Sequence, residues 1–216
     1  MPRRYLTIPA PWSISKPDLV VRMPQSVAIP AMGKLDYVCE IVPAGLTEGR
    51  WIQMAEVLPF VRANLLQIMV VIRRPGSHWL RHAPAGTPFR SATLTRSKDR
   101  RWSDDDILIV YAPGSSPQQF PPTMGKFITA GSDLVFCAQY ITNGVAGSDQ
   151  SSVGLVFFKQ PPSQRVITLA LEDRRFTIPP MLQSIGLKRE GFCGEMRFFC
   201  AFSPFYISGE NVLNTM

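Results

Sequence analysis

The stretch LLQIMVVIR, residues 65–73, is the most informative part of this sequence. It is an almost continuous apolar run, and it is followed closely by Pro75-Gly76, a dipeptide that is typical of turns. A short apolar run between turn signals is typical of a strand that is buried on both faces. The sequence therefore predicts a β-strand here, with protein covering both of its sides.

Further segments on either side of this run also have the pattern of strands. The chain contains 20 Pro and 15 Gly residues, which recur at short intervals and leave little room for long helices. We therefore expect an all-β fold, an antiparallel β-sandwich or jelly roll of eight or nine strands. The predicted strands span residues 35–42, 50–57, 65–73, 106–111, 124–130, 133–141, 152–159 and 165–171.

The composition allows one sizeable hydrophobic core. The 216 residues are 45% hydrophobic and 18% charged, which is typical of a globular chain and not of a disordered one. We expect an extended N-terminal segment at 1–34, a sandwich at 35–180 and an atypical tail at 181–216. The chain lacks the apolar run of a signal peptide and a stretch long enough to span a membrane, so its residues alone specify no compartment.

The formal net charge of +7 raises the question of a polyanion or nucleic acid as partner. The densest basic group is followed directly by the acidic run Asp104–Asp106, so we interpret this segment as a solvated loop. An anion site at the basic group, or a hard-cation site at the acidic run, is the alternative. The basic group consists of Arg90, Arg96, Lys98, Arg100 and Arg101.

The four cysteines are Cys39, Cys137, Cys193 and Cys200, and none of them forms a CxxC pair. The usual spacing of a zinc site is therefore absent. A Cys39–Cys137 disulfide and buried free thiols are both compatible with the sequence.

Four stretches carry a family resemblance: GLTEGRWIQMAEVLP (45–59), VVIRRPGSHWLRHAPAGTPF (70–89), YAPGSSPQQFPPTMGKFITAGSDLVF (111–136) and QYITNGVAGSDQSSVGLVFFKQPPSQRVITL (139–169). Their order and spacing, with the strand Tyr37-Val-Cys39, resemble the domain that carries the first copper site in copper type II, ascorbate-dependent monooxygenases. That family includes the peptidylglycine hydroxylating enzymes and many bacterial relatives. The resemblance runs from about Trp12 to about Pro180.

The resemblance implies a specific copper chemistry. In this family one copper relays electrons from ascorbate, and a second copper on an adjacent sandwich binds oxygen and cleaves a C–H bond. The first copper is held by two adjacent histidines on one strand and by a third histidine on another. At those positions this chain has Leu66, Gln67 and Gln139. Leucine has no donor atom and a carboxamide oxygen is a weak ligand for copper, so we expect the copper site to be lost.

Two expectations follow for the polar residues near this site. Gln67 and Gln139 are expected to hydrogen-bond to each other across the sheet, which is worth about 1 kcal/mol net. The only histidines, His78 and His82, lie four residues apart in the loop SHWLRHAP. We interpret them as exposed loop residues, with a relocated metal site as the alternative.

The tail at 181–216 departs from the family, which continues into a second sandwich. When codons for residues 206–216 are read from the third base of the Tyr206 codon, synonymous choices spell His-Leu-Arg-Gly-Lys-Arg-Phe-Glu-Tyr-Asp. That string resembles the beginning of the family's second copper domain. We therefore interpret the tail as a frameshifted remnant of that domain. A genuine apolar tail that docks on the sandwich or forms a homodimer is the alternative.

These observations predict a copper-free, non-catalytic module of the monooxygenase type, with a structural or binding role and no cofactor. A working copper- and ascorbate-dependent monooxygenase is the first alternative, and a polyanion or nucleic-acid binder is the second. Members of the family are usually exported, so the resemblance implies a periplasmic or extracellular location. The sequence contains no GxSxG, HExxH, P-loop or dinucleotide-binding motif.

Overall fold

A computed structural model of the chain describes residues 12–33, 35, 37–90 and 106–168. The predictions for the tail at 181–216, for Cys193 and Cys200, and for the basic residues at 96–101 lie outside these ranges. The homodimer contact predicted for the tail therefore stays a prediction. Among the described residues there is no helix that is long and apolar enough to cross a membrane.

The described residues form thirteen strands and no α-helix. In chain order they are β1 (Leu19–Arg22), β2 (Val27–Ile29), β3 (Val38–Pro43), β4 (Arg50–Leu58), β5 (Leu65–Arg73), β6 (Phe89–Arg90), β7 (Ile107–Tyr111), β8 (Gln118–Gln119), β9 (Met124–Ile128), β10 (Asp133–Tyr140), β11 (Gly147–Asp149), β12 (Ser152–Phe157) and β13 (Gln164–Arg165).

Two of the sheets pack face to face, so the predicted all-β sandwich is confirmed. The larger sheet has the order β1-β12-β4-β9-β13, with β8 also paired to β4. The second sheet has the order β6-β3-β10-β5-β7, and β2 pairs with β11 in a separate two-stranded sheet. Among these pairs, only β9 and β13 run parallel.

The main core lies between the two large sheets. Ile52 of β4 and Leu155 of β12 come from the larger sheet, while Leu134 and Phe136 of β10 come from the second; all four are 0% exposed and belong to one cluster. Along each strand the inward residues are mostly two apart, because successive side chains of a strand point to opposite faces. This alternation is what joins the two sheets around a single core.

Strand β5 has the bounds that the apolar run predicts, and it is buried on both faces. Ile68 and Val70 belong to the core between the sheets. Val71 belongs to a second cluster on the outer face of the same sheet, together with Trp79 and Val135. The two-sided burial explains why this strand is almost continuously apolar.

The segment 74–90 covers that outer face. Most of its residues are exposed or partly exposed, but Trp79 is only 5% exposed and packs in the outer cluster. The Arg73 guanidinium donates to Asp133 Oδ2 at 3.0 and 2.8 Å and to the Leu80 carbonyl at 3.0 Å. One side chain thus ties two neighbouring strands to the covering segment.

The strand count is higher than the eight or nine expected from the sequence. Strands β1 and β2 lie within the segment expected to be an extended N-terminal arm, and β1 forms one edge of the larger sheet. Strands of two or three residues, such as β6 and β8, account for most of the remainder. Such short strands carry too few residues for an alternating pattern to be recognised.

A disulfide joins Cys39 of β3 to Cys137 of β10. The two residues are directly opposite each other in the register of these strands. Both are 0% exposed and both lie in the outer cluster beneath the segment 74–90. The bond therefore fixes the middle of the second sheet.

Candidate functional site

The register of β5 and β10 brings together Leu66, Gln67 and Gln139, the three residues singled out by the resemblance. Gln139 pairs directly with Gln67, and the next residue, Tyr140, pairs with Leu65. Leu66 is therefore an extra residue in β5, which defines a β-bulge. We call Leu66, Gln67 and Gln139 the Gln67 site.

The bulge changes which residues of β5 face outward. Leu65 and Ile68 both belong to the core between the sheets, although they are three residues apart and would face opposite sides of a regular strand. The extra residue at the bulge allows this, and it leaves the consecutive pair Leu66 and Gln67 for the outer side. Two adjacent side chains of one strand can share a face only at such an irregularity.

The Gln67 side chain is engaged by Tyr37. Its amide Nε2 donates to Tyr37 Oη at 2.5 Å, and both residues are almost fully buried, at 6% and 5% exposed. The hydrogen bond expected between Gln67 and Gln139 is wrong: among the described residues, Gln67 bonds to Tyr37 and not to Gln139. Tyr37, the residue before β3, thus takes the place expected for Gln139.

The donor set of the Gln67 site does not fit copper. Leu66 offers no lone pair, and the nitrogen of Gln67 is a donor that already serves Tyr37. Gln139 supplies only a carboxamide, which is a poor partner for a metal that favours imidazole and thiolate ligands. Within the ranges that the structure describes, there is also no group of three or more His, Cys, Asp or Glu side chains that could hold a metal ion.

The two histidines face an arginine instead of each other. Arg81 Nε donates to His82 Nε2 at 2.8 Å, and Arg81 Nη1 lies 3.5 Å from His78 Nδ1. All three side chains are exposed or partly exposed in the segment that covers the outer face. The cation between the rings makes this an unfavourable place for a metal ion. Of the acidic run Asp104–Asp106, the structure describes Asp106, which accepts a hydrogen bond from Arg74 Nε at 2.9 Å.

A buried carboxylate network lies on the other face of β10, behind the Gln67 site. Asp149 is 0% exposed and accepts four hydrogen bonds, from the Phe60 and Val61 amides at 3.1 and 3.2 Å, the Tyr140 hydroxyl at 2.9 Å and the Ser151 hydroxyl at 2.8 Å. Burial and the charge of Asp149 raise the pKa of Tyr140 above its ordinary value. Tyr140 therefore stays protonated and remains a donor to Asp149.

Glu40 is a second buried acid in the same core. It lies on β3 between the inward-facing Val38 and Val42, and it is 0% exposed. The Gln25 amide donates to Glu40 Oε1 at 3.2 Å, while Oε2 has no hydrogen-bond partner in the described structure. Burial raises the pKa of the Glu40 carboxyl above its ordinary value, and the bond from Gln25 opposes this rise. A carboxyl in this position is more stable when it is neutral.

Replacement of Glu40 by glutamine is expected to stabilise the protein at pH 8 by about 1 kcal/mol and to flatten its pH dependence. A raised pKa means that the folded carboxyl holds its proton more tightly than the unfolded one does. Its contribution is therefore complete below the unfolded pKa of about 4.3 and is lost as the pH rises through the folded pKa. Urea unfolding of wild type and Glu40→Gln across this range measures the difference.

The matched control for this prediction is Glu48→Gln. Glu48 is a surface residue whose side chain is 70% exposed and pairs with Arg50, so its removal is expected to change stability little at any pH. A stability gap between wild type and Glu40→Gln that does not grow with pH would contradict the raised pKa of Glu40.

Neither Glu40 nor Asp149 stands out among candidate residues in the sequence. The alternation of Val38, Glu40 and Val42 is the signal that points to an inward acid on β3. For Asp149 the sequence holds no such signal, because the Phe60 and Val61 amides lie 89 and 88 residues away along the chain.

Comparison with models of known protein families and with curated proteins finds no match to this chain.

Proposed function

We propose that this chain is a copper-free module of the monooxygenase type that acts as a structural or binding domain and performs no oxygenase chemistry. The observation that carries the proposal is the β-bulge at Leu66, opposite Gln139. It lies at the two consecutive positions where the resembled family has its adjacent histidine pair. The third position of that family's ligand set is the residue directly across the ladder.

The bulge supports the resemblance for a physical reason. An adjacent pair of ligands on one strand can bind one metal only if both side chains point to the same face. In a regular strand they point to opposite faces, so such a pair requires an irregularity of the kind found at Leu66. A geometry suited to two neighbouring ligands thus persists here without the ligands.

The surroundings of the Gln67 site support a structural role. The outer face next to the site is packed by the Cys39–Cys137 disulfide and by Trp79. Gln67 is itself closed in by Tyr37. Packing of this kind stabilises a sheet and leaves no open coordination position of the sort that a catalytic metal needs.

The proposal is tested by metal binding to the wild-type chain and to a restored site. Wild type is expected to bind no stoichiometric copper and to show no ascorbate-dependent oxygen uptake. The triple variant Leu66→His/Gln67→His/Gln139→His is expected to bind copper with at least about 100-fold higher affinity than the double variant Gln67→His/Gln139→His, because even changes outside the ligand shell alter metal affinity 10- to 100-fold. Calorimetric titration and the Cu(II) electron paramagnetic resonance spectrum measure both.

The double variant is the control that isolates Leu66. If the triple variant binds copper no more tightly than the double variant, Leu66 does not face the site and the resemblance loses its structural support. One equivalent of copper on wild type, with oxygen uptake driven by ascorbate, would overturn the absence of oxygenase chemistry.

A further inference from the structure

A cavity of about 240 Å³ opens at the edge of the sandwich where β4 and β7 approach each other. Its apolar wall is formed by Val57 of β4 and by Ile109 and Tyr111 of β7. Strand β7 is the edge strand of its sheet, with β5 as its one strand partner in the described structure. None of the lining residues belongs to the Gln67 site, although Tyr111 pairs with Ile68, the residue that follows Gln67.

The polar side of the cavity is shaped by a tight turn. The Ser115 amide donates to the Ala112 carbonyl at 2.9 Å, and Gly114 has a positive φ of 88°. Pro113 at the second position and Gly114 at the third position are the residues that a type II turn requires. The Ser115 hydroxyl accepts from the Ala112 amide at 2.9 Å, so its own proton remains to be donated. This donor is therefore held in place before any ligand arrives.

The two charged residues that line the cavity, Glu56 and Arg62, differ in their hydrogen bonding. Glu56 accepts three hydrogen bonds, from the Ser13 amide at 2.8 Å, the Ser13 hydroxyl at 2.7 Å and the Ile14 amide at 3.1 Å. These donors occupy both carboxylate oxygens, while Glu56 keeps its negative charge. Arg62 also lines the cavity, and it makes no side-chain hydrogen bond or ion pair in the described part of the chain. The hydrogen-bond donors of the Arg62 guanidinium are therefore left for a ligand.

We propose that this cavity binds a small organic carboxylate, with the anionic group on Arg62 and Ser115 and the apolar body against Val57 and Tyr111. The guanidinium is suited to a carboxylate because its planar fork can form two parallel hydrogen bonds. The cavity volume of about 240 Å³ is below the roughly 300–1,000 Å³ of most ligand pockets, which favours a small ligand.

Benzoate is a suitable probe, and benzamide is its neutral counterpart of the same shape. Titration of the full chain with each compound, followed by two-dimensional NMR of the backbone amides, is expected to show saturable shifts at Arg62, Tyr111 and Ser115 with benzoate. Benzamide is expected to bind about tenfold more weakly or worse, because it lacks the charge that strengthens the hydrogen bonds.

The variant Arg62→Gln is expected to weaken benzoate binding about tenfold or more, whereas Arg62→Lys retains part of it. The matched control is Arg81→Gln, which removes the same charge in the segment 74–90 and is expected to leave benzoate affinity unchanged. Arg62→Lys also keeps the test valid if Arg62→Gln does not fold.

Three results would overturn the proposal. The first is the absence of saturable shifts at the cavity with benzoate, and the second is equal binding of benzamide. The third is tighter binding of inorganic phosphate than of benzoate, which would assign the site to a simple anion without an apolar body. The copper titration of wild type is independent of all three, so the failure of this proposal and the failure of the proposed function are distinguishable.

Discussion

The substitution Asp149→Ala is expected to lower the free energy of unfolding by about 4 kcal/mol. Asp149 is fully buried and accepts hydrogen bonds from four residues, Phe60, Val61, Tyr140 and Ser151. When the acceptor is removed, the amides of the partly exposed Phe60 and Val61 can turn to water. The hydroxyls of Tyr140 and Ser151, which are 3% and 0% exposed, cannot do so. Each buried donor left without a partner costs about 1–3 kcal/mol.

The control for this prediction is Asp149→Asn. The amide oxygen of asparagine can still accept from the two backbone amides, and its NH₂ group can donate to Tyr140 and Ser151, because a hydroxyl is both donor and acceptor. We therefore expect this variant to lose much less stability than Asp149→Ala. Denaturant unfolding measures both values, and hydrogen exchange of the Phe60 and Val61 amides reports whether their loop is released. Equal, small losses in the two variants would contradict the role of Asp149.

This prediction also connects the core with the proposed carboxylate cavity. Phe60 and Val61 directly precede Arg62, and the Leu65 amide donates to the Arg62 carbonyl at 3.3 Å. Asp149 therefore holds the turn from which the guanidinium extends. Asp149→Ala is expected to weaken benzoate binding without altering any residue that lines the cavity.

The double substitution Cys39→Ala/Cys137→Ala is expected to lower the free energy of unfolding by about 3 kcal/mol. The disulfide closes a loop between residues separated by 98 positions, and cross-linking a loop of about 100 residues reduces the entropy of the unfolded chain by an amount worth about 4.7 kcal/mol. Measured effects for native disulfides are usually about 2–5 kcal/mol, since the unfolded chain is not fully random. Small residues at both positions also leave some space in the outer cluster.

Guanidinium unfolding with and without a phosphine reductant measures this effect. A background that carries Cys193→Ser and Cys200→Ser excludes exchange with the other two thiols. In that background, the reductant is expected to destabilise the chain with Cys39 and Cys137 and to have no effect on the double variant. An unfolding midpoint that is the same for both, with no response to reductant, would show that the disulfide adds no stability.

Much of the secondary structure could be predicted from the sequence, because it depends on local patterns. The run at 65–73 is apolar on both faces, and the structure confirms strand β5 with the same bounds. Strand β4 differs by one residue from its prediction at 50–57. In contrast, the segment 74–90 carries no regular apolar pattern. Its contact with the outer face is made by Trp79, together with Leu80, Ala83 and Phe89.

The candidate site could be predicted only in part. Only the expected family resemblance singles out residues 66, 67 and 139 in the sequence. The hydrogen bond of Gln67 could not be predicted, because its partner Tyr37 is 30 residues away and lies on a different strand. The proposed carboxylate cavity could not be predicted from the sequence, because Glu56, Arg62 and Ser115 come from separate parts of the chain.

The sequence by itself determined that this chain is an all-β sandwich and that residues 66, 67 and 139 are Leu, Gln and Gln. The tertiary structure alone decided which side chains meet. It places Leu66 at a bulge, joins Cys39 to Cys137 and leaves Arg62 at an open cavity. The physical reason is that strand alternation is a local property of the chain, whereas the register between strands is set by the packing of residues that are distant in sequence.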